Sequence, residues 1–132
     1  MDLSMENSQK KILIVEDEDV IALPLADTLR AEGFEVLTAA DGAEGIDIAL
    51  REKPDLIVLD ILMPKMDGTE MLKRLRADEW GKSVRVVVLT NVAEMTKMAD
   101  VIDERVTDYL LKVDWDLNSV VSLIKEHLGV SA

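Results

Sequence analysis

The sequence has no cysteine, a single histidine (His127) and too few basic residues to balance its acids. Each shortage removes a class of chemistry. Without cysteine there are no disulfides, no thiolate metal sites and no thiol nucleophile. One imidazole cannot build a multi-histidine zinc centre. Fifteen Lys and Arg stand against 27 Asp and Glu, a formal charge of −12. That balance opposes binding to nucleic acid, which needs a basic face to displace counterions from phosphates. It equally opposes docking on an anionic membrane. No apolar run approaches the ~18 residues of a membrane span, and the N-terminus lacks the apolar segment of a secretion signal. What is present is 132 residues, 48% of them hydrophobic, which suits one folded domain better than an acidic disordered tail. The expectation is a soluble, cytoplasmic, acidic globular domain whose surplus carboxylates need an explanation.

The hydrophobic pattern is regular from residue 10 onward. Residues 1–9 are polar and aperiodic and read as a disordered lead-in, 10–129 as the domain and 130–132 as a short tail. Lys11-Ile-Leu-Ile-Val15 is a buried strand that breaks into Glu16-Asp17-Glu18-Asp19. A helix opens at Glu18 or Asp19 and runs to about Glu32, with Ile21, Leu25, Thr28 and Leu29 on one face and Gly33 as its stop. Pro24 falls inside it and should cost one backbone hydrogen bond. Glu35–Ala39 is a second strand, and a helix from about Ala43 to Glu52 should bury Ile46, Ala49 and Leu50. Asp55–Leu59 is a third strand, ending on Asp60. Asp67 can cap a third helix whose inner face is Met71, Leu72 and Leu75. Val84–Leu89 is a fourth strand ending on Thr90. Met95, Met98, Ala99 and Ile102 form a fourth helical face. Asp108–Leu111 is a fifth strand ending on Lys112, and Asp116 caps a fifth helix that buries Leu117, Val120, Val121, Ile124 and Leu128. Five strands alternating with five helices specify an α/β fold, a parallel sheet covered on both faces through right-handed crossovers.

In such sheets ligands bind beyond the carboxyl ends of the strands. The residues there are Glu16 and Asp17, Asp60, Thr90 and Lys112. Three carboxylates on one rim repel one another. A hard divalent cation relieves that repulsion, and Mg²⁺ takes one or two carboxylates together with carbonyls, waters and phosphate oxygens. A lysine and a threonine hydroxyl beside them can serve phosphoryl oxygens. With no cysteine and no suitably placed histidine, the nucleophile on this rim is a carboxylate, which can form an aspartyl phosphate. Acidic strand ends are often only solvated turns, but five suitable residues at the ends of four strands favour phosphoryl chemistry.

The chain resembles the response-regulator receiver domains (CheY-like) of two-component signalling over about residues 10–129. The resemblance is carried by Ile-Leu-Ile-Val-Glu16-Asp17-Glu18, Asp-Leu-Ile-Val-Leu-Asp60-Ile-Leu-Met-Pro64, Met66-Asp-Gly68, Val-Leu-Thr90 and Asp-Tyr109-Leu-Leu-Lys112. It implies a flavodoxin-like five-stranded sheet in the order 2-1-3-4-5. It implies that Asp60 accepts a phosphoryl group from the phosphohistidine of a sensor histidine kinase or phosphotransfer protein. Mg²⁺ would be held by Asp17, Asp60 and, through water, Glu16, with the backbone carbonyl of Leu62 completing the shell. Lys112 would pair with the phosphoryl group. Thr90 would swing toward it and Tyr109 would rotate inward, switching the face made by the fourth helix, fifth strand and fifth helix toward a downstream protein target. On this reading the chain is not an enzyme but an acceptor that takes part in its own phosphorylation and dephosphorylation.

The chain departs from the family at three places. Val113 stands where a proline usually follows the lysine, so a trans Lys112–Val113 bond is expected, a cis bond before a non-proline costing ~3 kcal/mol. Asn91 replaces the usual small residue after the threonine, and Arg105-Val106 replaces a Gly-Ala pair before the fifth strand. Two alternatives follow. One is a pseudo-receiver that binds protein without being phosphorylated. The other is a haloacid-dehalogenase-type Mg²⁺ phosphatase using Asp17 in Asp17-Glu-Asp19. His127 reads as an exposed residue favoured by the helix dipole rather than a phosphorelay histidine. Trp115 reads as a partner anchor or as a plug for its loop, and the methionines as packing. Between Glu94 and Asp116 there are seven acids and three bases, which disfavours self-association there and points to a monomer at rest, with a dimer on phosphorylation as the alternative.

Overall fold

The computed structural model describes residues 10–61, 66, 68–90, 108–111 and 116–130, with Tyr109 and Leu111 described by their backbone alone. Its elements are β1 (Lys11–Val15), α1 (Asp19–Ala31), β2 (Glu35–Ala39), α2 (Gly42–Glu52), β3 (Leu56–Asp60), α3 (Gly68–Ala77), β4 (Arg85–Thr90), β5 (Asp108–Leu111) and α4 (Leu117–Leu128). The strands form one parallel sheet in the order β2-β1-β3-β4-β5. That is the order the resemblance implied. Four helices are seen among the described residues. The expected helix bearing Met95, Met98, Ala99 and Ile102 lies outside them, as do Asp67, Asn91, Arg105-Val106, Val113 and Trp115.

The strands are apolar on both sides because both faces are covered. Period-two alternation then deals each strand's side chains to opposite faces. Leu13, Val15, Ile57, Leu59, Val86 and Val88 pack with Ile46 and Ala49 of α2 and with Met71, Leu72 and Leu75 of α3. Ile12, Ile14, Leu56, Val58, Val87 and Leu89 pack with Leu25 and Leu29 of α1 and with Val120, Val121, Ile124 and Leu128 of α4. Each fully buried aliphatic side chain contributes about 1.5–3 kcal/mol, so these two layers dominate stability.

Among the described residues, local expectations held with three main exceptions, besides Leu117, which is only partly buried. Leu50 is 38% exposed, and the inner face of α2 is Gly42, Gly45, Ile46 and Ala49. Gly45 brings α2 close to Val15 of β1 and Met71 of α3, and Leu50 lies at the edge of the buried face. In α1, Ala22 and Ala26 are buried with Leu25 and Leu29, while Ile21 and Thr28 lie at the margin. The helix runs unbroken past Pro24, which is exposed. Third, His127 is not simply exposed: its Nε2 lies 2.9 Å from Asp108 Oδ2 at the start of β5, and its side chain is 23% accessible. Asp116 caps α4 as expected, accepting from the Ser119 amide at 3.2 Å, and Val130 packs against the α1–α4 side. No described helix is long and apolar enough to cross a membrane.

The opposite end of the sheet from the strand-end acids is tied by Lys11. Its amide donates to Asp55 Oδ2 at 2.7 Å, and its Nζ lies 3.3 Å from both Glu35 Oε2 and Glu52 Oε1. Hydrogen bonds to Glu35 and then Glu52 raise the Lys11 pKa, while Arg51 and then Lys11 lower that of Glu52. The lysine's stabilisation is therefore fully present below its ordinary value of 10.5 and lost as pH rises through the raised folded value. That of Glu52 is present above its ordinary 4.5 and lost as pH falls through the depressed folded value. Water reaches both groups, so the effect is small. Urea midpoints of wild type and Lys11→Met should differ most between those limits and converge beyond either one. A difference independent of pH would show that Lys11 acts through its aliphatic stem rather than its charge.

Candidate functional site

The central strands β1, β3 and β4 are apolar until their last step, and the break in pattern places polar groups at one rim. Glu16 directly follows β1, its amide donating to the Ala39 carbonyl at 3.0 Å. Asp60 is the last residue of β3 and fully buried, in register with Leu89. Thr90 ends β4, also fully buried, in register with Leu111, the residue before Lys112. One carboxylate oxygen from each of Glu16, Asp17, Glu18 and Asp60 lies within 4.8 Å of the other three. Glu16 and Asp60 are buried, while Asp17 and Glu18 face solvent.

The rim thus gathers Glu16, Asp17 and Asp60 as the sequence led us to expect, with Thr90 at the end of the neighbouring strand. Glu18 is an addition. In the sequence it reads as a helix opener, and it does occupy the N-cap of α1. Its side chain makes no capping hydrogen bond, and its amide donates to Glu16 Oε1 at 3.1 Å. The only sequence signal was its adjacency to Glu16 and Asp17. Leu62 and Lys112 lie outside the described residues, as does the Tyr109 side chain, although Tyr109 is placed in β5 opposite Val88. Asp19 opens α1 and does not belong to the carboxylate group that includes Asp60, so the Asp17-x-Asp19 arrangement of a phosphatase finds no support.

Like charges this close repel, and the buried members of the group are screened least by solvent. An all-oxygen donor set of this charge matches a hard divalent cation rather than zinc or copper. On the chemistry of its donors the site therefore fits Mg²⁺.

The loop that leaves Asp60 is pinned at both ends. The Gly68 amide donates to the Ile61 carbonyl at 2.8 Å, and the Gly42 amide to the Met66 carbonyl at 3.0 Å. Both glycines are required by close approach. A Cβ on Gly68 would lie 2.6 Å from the Asp60 carbonyl oxygen and 2.7 Å from Ile61 Cα, and one on Gly42 would collide with the Met66 carbonyl oxygen.

Comparison with known proteins follows from this geometry. The family model described as response regulator receiver domain matches residues 12–125. The chain belongs to the response regulator receiver domain family. Sporulation initiation phosphotransferase F of Bacillus subtilis is 31% identical to this receiver domain over 123 residues, which cover 93% of this chain and 97% of that protein. The alkaline phosphatase synthesis transcriptional regulatory protein PhoP of the same organism is 52% identical over 67 residues, 51% of this chain. That match spans only 28% of the relative, so the receiver domain corresponds to a minor part of such a regulator. Among solved structures, the receiver domain of a sensor histidine kinase from Pseudomonas aeruginosa superposes with a TM-score of 0.79 at 28% identity, over 91% of this chain and 98% of that one. That structure holds a magnesium ion coordinated in its active-site cleft.

Gly68→Ala should test how tightly the acceptor strand and α3 are packed. The added methyl meets backbone rather than a movable side-chain end, and overpacking of this kind costs about 1–3 kcal/mol. Urea denaturation should show that loss. An unchanged midpoint would mean that α3 withdraws freely from Asp60.

Proposed function

We propose that this chain is a phospho-acceptor switch in which Asp60 takes a phosphoryl group, in a Mg²⁺-dependent step, from the phosphohistidine of a sensor histidine kinase or phosphotransfer protein. The observation that carries the proposal is the fully buried Asp60 at the end of the central strand, grouped with Glu16 and Asp17. A carboxylate oxygen of Asp60 attacks phosphorus, the bond from phosphorus to the donor's imidazole nitrogen breaks, and the imidazole departs with its electron pair. Glu16 and Asp17 would hold the cation with Asp60 and the Leu62 carbonyl. The ion would offset charge on the acceptor and on the phosphoryl oxygens. What the chain itself supplies is position and a dry surround for the acceptor. Lys112 pairs with a phosphoryl oxygen. Thr90, at the end of the next strand, donates its hydroxyl to another.

The output follows from the order of strands. Thr90 neighbours β5, which carries Tyr109. A shift of Thr90 toward the phosphoryl group and of Tyr109 into the space it leaves changes the face that includes β5 and α4, which a downstream protein reads. Such a chain is an acceptor rather than an enzyme. We place it in the cytoplasm as a monomer at rest.

Incubation with a small phosphodonor and Mg²⁺ tests the reading by intact mass. Wild type should gain one phosphoryl group and lose the gain when Mg²⁺ is chelated, while Asp60→Asn should gain none. Modification that persists in Asp60→Asn overturns Asp60 as the acceptor. No modification of wild type, together with no response to beryllofluoride, would favour a binding module that is never phosphorylated.

A further inference from the structure

We infer that Arg30 closes the outer edge of β2 and so keeps the sheet of this chain from pairing with that of a second copy. β2 is the edge strand in the order β2-β1-β3-β4-β5. The Glu35 amide donates to the Lys10 carbonyl, and the Ala39 carbonyl accepts from the Glu16 amide, both at 3.0 Å. Main-chain groups of successive residues face opposite sides of a strand, so Glu35, Leu37 and Ala39 turn theirs to β1. Val36 and Thr38 turn theirs outward. Arg30, in the last turn of α1, reaches across that edge, and its Nη2 donates to the Val36 carbonyl at 3.0 Å. Just before it, the Leu29 carbonyl takes the Phe34 amide at 3.1 Å. The end of α1 thus covers the start of the open edge.

An open strand edge is a template for another strand, and chains blunt it with proline, a bulge, lysine or a covering group. β2 has none of the first three: it pairs with β1 in unbroken register, and its one charge is Glu35 at the first position. The edge is also self-complementary. Antiparallel pairing about a two-fold axis at Leu37 sets Val36 opposite Thr38 of a second copy, and Thr38 opposite its Val36. Each opposed pair exchanges both of its main-chain bonds, and one bond of each pair ends on a Val36 carbonyl. Leu37 and Ile48 are only partly buried, so the joint would bury apolar surface as well. The second copy is therefore the occupant this edge fits. Arg30 holds the Val36 carbonyl in both copies and lays a charge across the joint that pairing would have to desolvate. None of this depends on phosphorylation of Asp60.

Sedimentation of the unphosphorylated full chain over a range of concentrations tests this. Arg30 is exposed, so Arg30→Met keeps the fold and the apolar stem and removes the donor. It also makes the chain more acidic, which by itself opposes association. Arg30→Met should nevertheless dimerise roughly tenfold more tightly than wild type. Hydrogen exchange at the Val36 and Thr38 amides should slow as that dimer fills. Adding Thr38→Pro, which deletes one outward amide and is tolerated on an edge strand, should return the variant to monomer. Equal association of wild type and Arg30→Met overturns the assignment. So does an Arg30→Met dimer whose Val36 and Thr38 amides exchange as in the monomer, or one that survives Thr38→Pro in a folded chain. If circular dichroism shows the double variant unfolded, exchange at the two amides of Arg30→Met alone decides.

Discussion

A carboxylate closed off from water at the end of the central strand constrains everything around it. Asp60 is fully buried, and Glu16, one strand over, nearly so. Burying an ionised carboxylate is unfavourable unless opposite charge or hydrogen bonds compensate it. Two such groups within 4.8 Å of each other and of two further acids add mutual repulsion. Such a rim attracts positive charge, which on the proposed reading a divalent cation and Lys112 would supply. The same tension makes the site responsive, because any change in the charge on Asp60 shifts the balance of forces across the rim.

That concentration of charge is tolerable because of what lies beneath it. Two apolar layers fix β1, β3 and β4 in register to within a residue. A slip of one residue would turn each strand's side chains to the opposite face and carry Asp60 away from Glu16. Packing energy far exceeds the repulsion at the rim, so the core dictates where the acids sit. At the described residues of the loop after Asp60, backbone contacts at Ile61 and Met66 join the packing of the Met66 side chain on the core. Gly42 and Gly68 let α2 and α3 approach the carbonyls of Met66 and Asp60. Rigidity at the acceptor thus comes from close approach of main chain, which only the absence of a side chain permits.

The five strands were legible because each is a short apolar run that stops abruptly, and the stop is where the chemistry lies. Asp60, Glu16 and Thr90 were readable for the same reason, since a polar residue ending an apolar run is anomalous. The Asp116 cap was readable from local chemistry. What escaped was settled between elements. Leu50 lies at the margin of the apolar arc of α2, and the core covers Ile46 and Ala49 but leaves it partly outside. The link from His127 to Asp108 joins residues 19 apart in sequence, and a helix dipole at one end gave no sign of a partner in a strand. Glu18 was read as a helix opener because capping is a local preference. Glu is not among the side chains that cap well, so its place before the helix said little about where its carboxylate would lie.

The acidity of the chain divides along these lines. Four carboxylates crowd one rim, where like charges repel. Others are matched on the surface: Lys125 Nζ lies 2.6 Å from Glu32 Oε1 and joins α4 to α1, and Lys11 joins β1 to Glu35 and Glu52. Surface pairs of this kind contribute at most about 1 kcal/mol each, so they trim the packing of the helices without deciding the fold. The rim acids act differently. They crowd like charge at one place, a cost the core carries and one that, on the proposed reading, a bound cation would relieve, so that cation binding would also raise folding stability.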